Sequence, residues 1–419
     1  MHTREIWTDS RIWALALAET TIWAGIFYVF PPMILRWNDH FGWSISEISL
    51  GLTFALMASA ITSVIAGRLI DKGWSKLLMT GSSLLAAILI SLLTQITELW
   101  QFYIVWILTG ITFAGCLYDP CFSHLTKEFN KDAKKAIIMV TLFAGFASTI
   151  SYPTYSFISN NYSWETGIYF FSILICLFTV PLFWYGTSPK DSKFKERWFK
   201  YKSNQFQESS TQTTPFSSAI VPVIKTPVFW ALFIGLAVFP VNQGMLGSQI
   251  FPILENVGTS KNQALIFASF IGPMQVAARL ILFVSESTLR KNISMAHAAI
   301  FCLFCLAISS LVLVLGTGNT LTVLIFVVLQ GGPQGIVSII KPVLTAELLG
   351  RSNFGVVAST VGLGSILSFA LSPAIAGIIA DRWNYDSVLV TTFSISLIGI
   401  VSLLLTFKFK RRNPDFNPS

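Results

Sequence analysis

Four ionisable side chains, Glu19, Asp119, Arg279 and Lys341, stand well inside long apolar stretches of the 419-residue chain. At the centre of a membrane helix each costs about 2.5–3.5 kcal/mol. Four such groups facing lipid would be very unfavourable, so they are expected to face an interior cavity and to meet one another or a substrate. Two are acidic and two basic, so full pairing is possible. Arg279 is the candidate for holding an anionic substrate group, because a planar guanidinium meets carboxylate or phosphate with two parallel N–H donors. The competing expectation is an ion pair with Glu286, two turns further on. Lys341, a second cation for an anion, and Asp119 sit at matching depths in opposite halves of the chain. They are expected to pair and to close one end of the cavity, unless Pro120 and Pro342 only kink the helices and the charges reach back to the interface. Glu19 is the candidate proton carrier, with Asp119 a second candidate for proton coupling, because a carboxyl sheltered from water can trade its charge for a proton. Its alternative is a hydrogen bond to a neighbouring helix.

Uncharged polar groups extend this set. Asn242-Gln243-Gly244 and Gln330-Gly331-Gly332-Pro333-Gln334-Gly335 lie in apolar surroundings. Both runs are expected to interrupt their helices and free backbone groups that only a cavity or packed interface tolerates. Asn242, Gln243 and Gln330 are therefore candidate substrate contacts. Tyr118, Tyr152 and Tyr155 could line the same site or pack. His124 and His297 fall near helix ends, where solvated or capping roles are expected.

The elements that must position these groups follow from composition. Hydrophobic residues make up 53% and charged residues 11%, with a mean hydropathy of +0.66. Soluble domains carry about 25% charged residues, so this chain cannot cover a watery surface. Five cysteines in so long a chain exclude a disulfide scaffold. The apolar excess and 35 Phe exclude disorder. The net charge of +8 does not point to nucleic acid, because the basic residues sit between apolar runs. Those runs are about 20 residues long, the length of a membrane-crossing helix, and not the alternating segments of a β-barrel.

Twelve spans are predicted at 12–35, 44–66, 77–97, 99–123, 136–158, 166–186, 227–250, 263–285, 293–315, 320–345, 353–380 and 387–407. The fold class is therefore an all-α membrane protein, and an even number of crossings puts both termini on one side. Of the 28 Lys and Arg, only Arg36, Lys261 and Arg382 fall on the opposite face, and Arg279 and Lys341 lie within spans. Positive charge stays inside, so both termini and the middle loop are expected to be cytoplasmic, in a cell inner or plasma membrane. Trp37, Trp43, Trp100, Trp164 and Trp383 are expected at the outer interface, and Trp7, Trp13, Trp74, Trp184, Trp198 and Trp230 at the inner one. The first apolar run is too long for a signal peptide and contains Glu19, so no cleavage is expected. The cysteines, including the Cys302/Cys305 pair, read as core residues without a metal partner.

Residues 188–226 are rich in Lys, Ser, Thr and Gln. They read as a cytoplasmic linker near anionic lipid headgroups, partly helical over 193–201. It divides the chain into an N-terminal unit, 1–187, and a C-terminal unit, 227–419, of six spans each. The halves echo one another. Asp119-Pro120 matches Lys341-Pro342, and Ala147-Ser148-Thr149 before Pro153 matches Ala358-Ser359-Thr360 before Pro373. Related halves suit a transporter with its site at the repeat interface.

The loop after the second span reads Gly67-Arg68-Leu69-Ile70-Asp71-Lys72-Gly73-Trp74-Ser75-Lys76. It resembles the loop signature of the major facilitator superfamily: Gly, three residues, Asp, a basic residue, then Gly and further basic residues. The resemblance implies twelve helices in two pseudo-symmetric six-helix bundles. It also implies a gating role for Gly67, Asp71, Lys72, Gly73 and Lys76, with Gly67 allowing close helix approach. Asp71 would meet the start of the eleventh span, which opens with the capping pair Ser352-Asn353. In the second half the equivalent loop is degraded, with Phe283 at the Gly position and Glu286 at the Asp position. Trp106 stands four residues before Gly110, where many proton-coupled relatives carry Arg. Gly145 and Pro153 give only part of the glycine-rich pattern of drug/proton antiporters. The run Gly272-Pro273-Met274-Gln275-Val276-Ala277-Ala278-Arg279 resembles the eighth span of bacterial arabinose-efflux-like permeases, which are similar to monocarboxylate and oxalate/formate carriers.

The chain has no P-loop, metal cluster or nucleophile elbow, so neither an enzyme nor a cofactor is expected. The function expected is a monomeric secondary transporter of a small organic anion, coupled to protons and working by alternating access. Competing expectations are an exporter of drugs or amphipathic metabolites and an uptake permease for a carboxylate-type siderophore. A different class is a non-transporting receptor or scaffold, against which the short outer loops and buried charges count. A channel would show charge rings and filter loops, which are absent.

Overall fold

In the computed structural model the described residues are 8–129, 133–188, 221–289, 294–316, 319–349 and 354–412. Among them there are helices and turns and no strands. Twelve helical spans are long and apolar enough to cross a membrane. Spans 1 to 6 are Ser10–Phe41, Ile45–Asp71, Ser75–Leu92, Leu99–Phe129, Lys135–Asn161 and Trp164–Gly186. Spans 7 to 12 are Pro227–Ser248, Lys261–Leu282, Met295–Leu315, Thr320–Val337, Thr360–Arg382 and Tyr385–Lys410. Several helices overrun their predicted ends, span 1 to Phe41, span 2 to Asp71 and span 10 to Leu349. A helix continues past the apolar stretch while its backbone stays bonded, so hydropathy marks membrane thickness and not helix length. The end bearing both termini, rich in Lys and Arg, is called the basic end below, and the opposite end the far end. Most of the linker, and Arg4, Lys131, Arg290, Arg351 and the Ser352-Asn353 cap, lie outside the described residues.

Spans 1 to 6 share one hydrophobic core, dense in aromatics. Trp37 and Trp106 are fully buried there with Phe30 and Phe102. Trp37, expected at the interface, packs edge-on against Phe30 with ring centroids 5.6 Å apart. A helix end that turns inward buries its tryptophan whatever its depth. Close helix approach explains Gly110, where a Cβ would stand 2.0 Å from the Ala55 carbonyl oxygen. Spans 7 to 12 hold two smaller clusters, and the one at the far end also receives Tyr152 from span 5.

Breaks in the spans fall where the backbone ladder is interrupted. Span 4 stops at Leu117 and restarts at Tyr118, because Pro120 cannot donate to the preceding turn. Span 1 carries a π-helical turn, Trp23–Phe27, directly after the turn bearing Glu19, and span 6 carries another at Ile175–Thr179. Such bulges concentrate at functional sites. Span 5 is interrupted at Gly145-Phe146. Two predicted breaks are absent. Span 7 runs helically through Asn242-Gln243-Gly244, and span 10 through Gln330 to Gly335. The glycines make room for neighbours instead: a Cβ on Gly244 would lie 1.7 Å from Ser372 Oγ, and one on Gly335 2.2 Å from the Gln275 carbonyl oxygen. Span 7 breaks later, at Gln249, before the short helix Ile250–Asn256.

The halves meet along two seams, span 2 against span 11 and span 5 against span 8. Toward the far end the Ser46 backbone N–H donates to Asp381 (2.7 Å), and Ala374 N–H to Thr53 Oγ1 (3.1 Å). Gln249, freed by the break in span 7, donates its amide to Ser49 Oγ at 2.8 Å. On the other seam Thr149 Oγ1 donates to the Ser269 carbonyl (2.8 Å), and a Cβ on Gly272 would lie 2.4 Å from the Gly145 carbonyl oxygen. The first seam is thus tight at the far end, and the second near mid-span.

Candidate functional site

A cavity of about 690 Å³, measured to its open mouth, lies between the halves beneath the far-end seam. Its two walls differ. The N-terminal half contributes Phe27 and Tyr28 from span 1 and Ser148 and Tyr152 from span 5. The C-terminal half contributes Gln243 from span 7, Gln275 from span 8, and Gln330 and Gln334 from span 10. Phe369 of span 11 stacks on Phe27 across the gap, with centroids 6.1 Å apart. All four lining amides come from the C-terminal half and both lining tyrosines from the N-terminal half, and no charged side chain is among the described lining residues.

Of the candidate substrate contacts, Gln243 and Gln330 line the cavity, whereas Asn242 lies fully buried behind them. Gln330 is held by its neighbours, accepting from Ser309 Oγ (2.9 Å) and donating to Asn242 Oδ1 (2.6 Å). The Asn242 amide nitrogen is left without a partner. Asn242 therefore positions Gln330. Gln275 and Gln334, which the sequence reading quoted only within longer runs, join the wall through a 3.3 Å hydrogen bond from Gln275 Nε2 to Gln334 Oε1. The signal that singled out Gln243, an amide within an apolar span, applies equally to them.

Arg279 sits one helical turn beyond Gln275 toward the basic end. Its Nε donates to the Gly335 carbonyl (2.8 Å) and its Nη1, across the seam, to the Thr141 carbonyl (3.2 Å). Among the described residues it pairs with no carboxylate. The Glu286 side chain lies outside the described set. Lys341, half-buried, lies a further turn and more along span 10, its ammonium 3.8 Å from where a Cβ on Gly362 would stand. It makes no side-chain hydrogen bond or ion pair among the described residues.

The acids behave differently from each other. Asp119 occupies the first turn after the break in span 4, where free backbone N–H groups favour an anion. It keeps accessible surface although it lies deep in the span. Asp119 and Lys341 feel one another's charge but do not touch within the 4.0 Å of an ion pair. Glu19 is fully buried inside the N-terminal half, and neither of its oxygens has a hydrogen bond. The Cys121 thiol and Trp23 indole face it without closing one. Trp23 and Tyr118, with ring centroids 4.8 Å apart, stand beside it. Of the four charges, Glu19 is enclosed, Arg279 bonds across a seam, and Asp119 and Lys341 lie near enough to feel each other across the halves.

The loop motif lies apart, at the basic end. Gly73 adopts φ 83°, the left-handed region that needs glycine, and closes the helix end with its N–H on the Ile70 carbonyl at 2.9 Å. Asp71 pairs with Lys127 of span 4. Lys76 lies 3.6 Å from the centre of the Trp184 ring and donates to Ser188 Oγ at 3.0 Å. Among the described residues a Cβ on Gly67 would meet nothing within 4 Å; the start of span 11, its expected neighbour, lies outside them. Nearby, Arg11 joins Asp9 (3.1 Å) and Glu128 (2.7 Å), tying the start of span 1 to the end of span 4. His124, expected to be solvated or a cap, is instead buried beside this network. His297 is exposed.

Twelve membrane-crossing helices around a cavity at the junction of two halves define a multi-pass membrane transporter. The Major Facilitator Superfamily profile matches residues 12–316 and 289–419, and the chain belongs to that family. It is 23% identical over 330 residues to monocarboxylate transporter 12 of Mus musculus, covering 72% of this chain and 66% of that one. It is 27% identical over 123 residues to multidrug resistance protein MdtH of Aeromonas hydrophila subsp. hydrophila, 29% of this chain and 30% of that protein. The chain thus spans less than two thirds of the length of these relatives. A bacterial homolog of the human lysosomal transporter Spinster, solved inward-facing and unoccupied, superposes with a TM-score of 0.65 at 13% identity, over 98% of both chains. The peptide transporter POT, solved with alafosfalin, superposes with a TM-score of 0.65 at 14% identity, over 97% of this chain and 96% of its own.

Proposed function

We propose that this transporter carries a small organic anion across a cell inner or plasma membrane together with protons, by alternating access. The observation that carries the reading is Arg279. Its guanidinium is spent on two backbone carbonyls and on no described carboxylate. It adjoins a cavity whose lining is otherwise neutral. An anion there supplies the charge-assisted partner that the described residues do not give Arg279. The likeness to a monocarboxylate transporter supports the same charge on the cargo.

Glu19 is the proton site. It has no partner to balance a negative charge and no solvent to hydrate one, so it carries a proton while enclosed and releases it when the halves move. Asp119, exposed at the same level, exchanges that proton with water. The basic end is cytoplasmic, following the distribution of Lys and Arg. The structure is then the inward-facing state, closed by the far-end seam and open below. The units 1–187 and 227–419, joined by 188–226, rock about the contact between Gly145 and Gly272. Return to the outward state brings Lys341 to Asp119 and Asp71 to the start of span 11. The gating residues Gly67, Asp71, Lys72, Gly73 and Lys76 act at that step, and Lys341 also draws the anion inward. The protein works as a monomer.

Uptake of small organic anions into proteoliposomes, with and without an imposed pH gradient, tests this reading. Accumulation driven by the gradient, and lost in Arg279→Ala, is expected. Arg279→Ala transporting with unchanged half-saturation would refute it.

A further inference from the structure

We propose that the amide wall makes this transporter selective for polyhydroxylated monocarboxylates, anions of the sugar-acid type, over carboxylates of equal length without hydroxyls. This rests on the reading of Arg279 as the anion site and names the rest of the cargo. Gln275 and Arg279 share one face of span 8, one turn or about 5.4 Å apart. A carboxylate at Arg279 therefore places the next few carbons beside Gln275 and its partner Gln334.

Those amides have bonding capacity left over. The Gln275–Gln334 hydrogen bond leaves Gln275 Oε1 free to accept and Gln334 Nε2 free to donate. Gln243 makes no side-chain hydrogen bond among the described residues, and the Tyr28 and Tyr152 hydroxyls, which also line the cavity, make none either. An alkyl chain in this position would take water from all of these groups and return nothing, which is costly. Hydroxyl groups, each both donor and acceptor, satisfy them. Facing the amides, the stacked Phe27 and Phe369 rings offer an apolar surface for the C–H side of the same molecule. With no charged side chain in the lining, a second negative charge on the cargo would find no partner there.

The test compares three probes of six carbons, gluconate, hexanoate and sorbitol, by isotopic uptake into proteoliposomes holding the full chain. Gluconate is expected to half-saturate at a concentration at least about tenfold below hexanoate, the effect of one or two hydrogen bonds. Gln334→Leu is expected to weaken gluconate and, because an alkyl chain no longer strands that amide, to strengthen hexanoate, narrowing the gap between the two. Should Gln334→Leu fail to fold, Gln243→Leu reads the same selectivity, because removing that amide strands no partner. Equal half-saturation for gluconate and hexanoate, with both still dependent on Arg279, would overturn the selectivity and leave the anion reading intact. Sorbitol moving as well as gluconate, with neither affected by Arg279→Ala, would overturn the anion reading and the selectivity with it.

Discussion

The two halves that enclose the cavity keep charge in opposite ways. In the N-terminal half Glu19 is hidden behind Trp23 and Tyr118, within a core packed with aromatic rings, and nothing bonds its oxygens. In the C-terminal half Arg279 stays half-exposed at a seam and leans on backbone carbonyls, among amides that are partly bonded to each other. A hidden acid answers to a proton, which needs little space. A half-open cation answers to an anion, which needs a cavity. Under the proposed function this asymmetry would put the two cargoes on two bodies, so that moving one body against the other couples them.

The largest effect expected falls on the C-terminal half. Arg279→Ala should weaken anion transport about a hundredfold, the loss of a charge-assisted pair of hydrogen bonds at roughly 2–3 kcal/mol. Arg279→Lys should restore less than about a tenth of that, since a point charge lacks the fork. Initial rates over a range of anion concentrations measure both, and full recovery by Lys would break the comparison.

Packing within the closed half comes next. Gly110→Ala puts a methyl against the Ala55 backbone, which cannot yield as a side chain does. It should lower stability by about 1–3 kcal/mol. Gly67→Ala meets no described neighbour, and in a helical position it should hold or raise stability by up to about 1 kcal/mol. Thermal unfolding in detergent compares the pair, and equal losses would contradict the proposed open basic end.

Gln249→Ala removes the side chain that reaches from the broken span 7 to Ser49. Losing that buried hydrogen bond, worth about 1 kcal/mol, should shift the population toward a state open at the far end. A cysteine placed at Leu52, in the cavity lining on the same span, should react faster with an impermeant thiol reagent from the far side in the variant than in the parent. Smallest of all is Lys127→Ala. Its partner Asp71 is 64% exposed at the side chain, so stability should change by under about 1 kcal/mol.

Much of this was legible in the residues, and the rest depended on folding. Span number, the four charges and the loop motif follow from hydropathy and residue type, which one sequence records. The positions of Gln243 and Gln330 followed from the same logic, and Gln275 and Gln334 were within its reach. Spans 7 and 10 stay helical where their polar and Gly-rich runs predict breaks, because here the glycines admit neighbouring helices. No local pattern says that Glu19 faces into its own bundle, that Trp37 is core, or that Gln249 crosses to Ser49. Those are facts of which helix packs on which.

The most direct test separates the two halves in one preparation. Glu19→Gln in proteoliposomes should exchange labelled for unlabelled anion at equal pH on both sides, yet accumulate no anion when a pH gradient is imposed. Normal gradient-driven accumulation by Glu19→Gln would contradict the assignment of proton and anion to opposite halves.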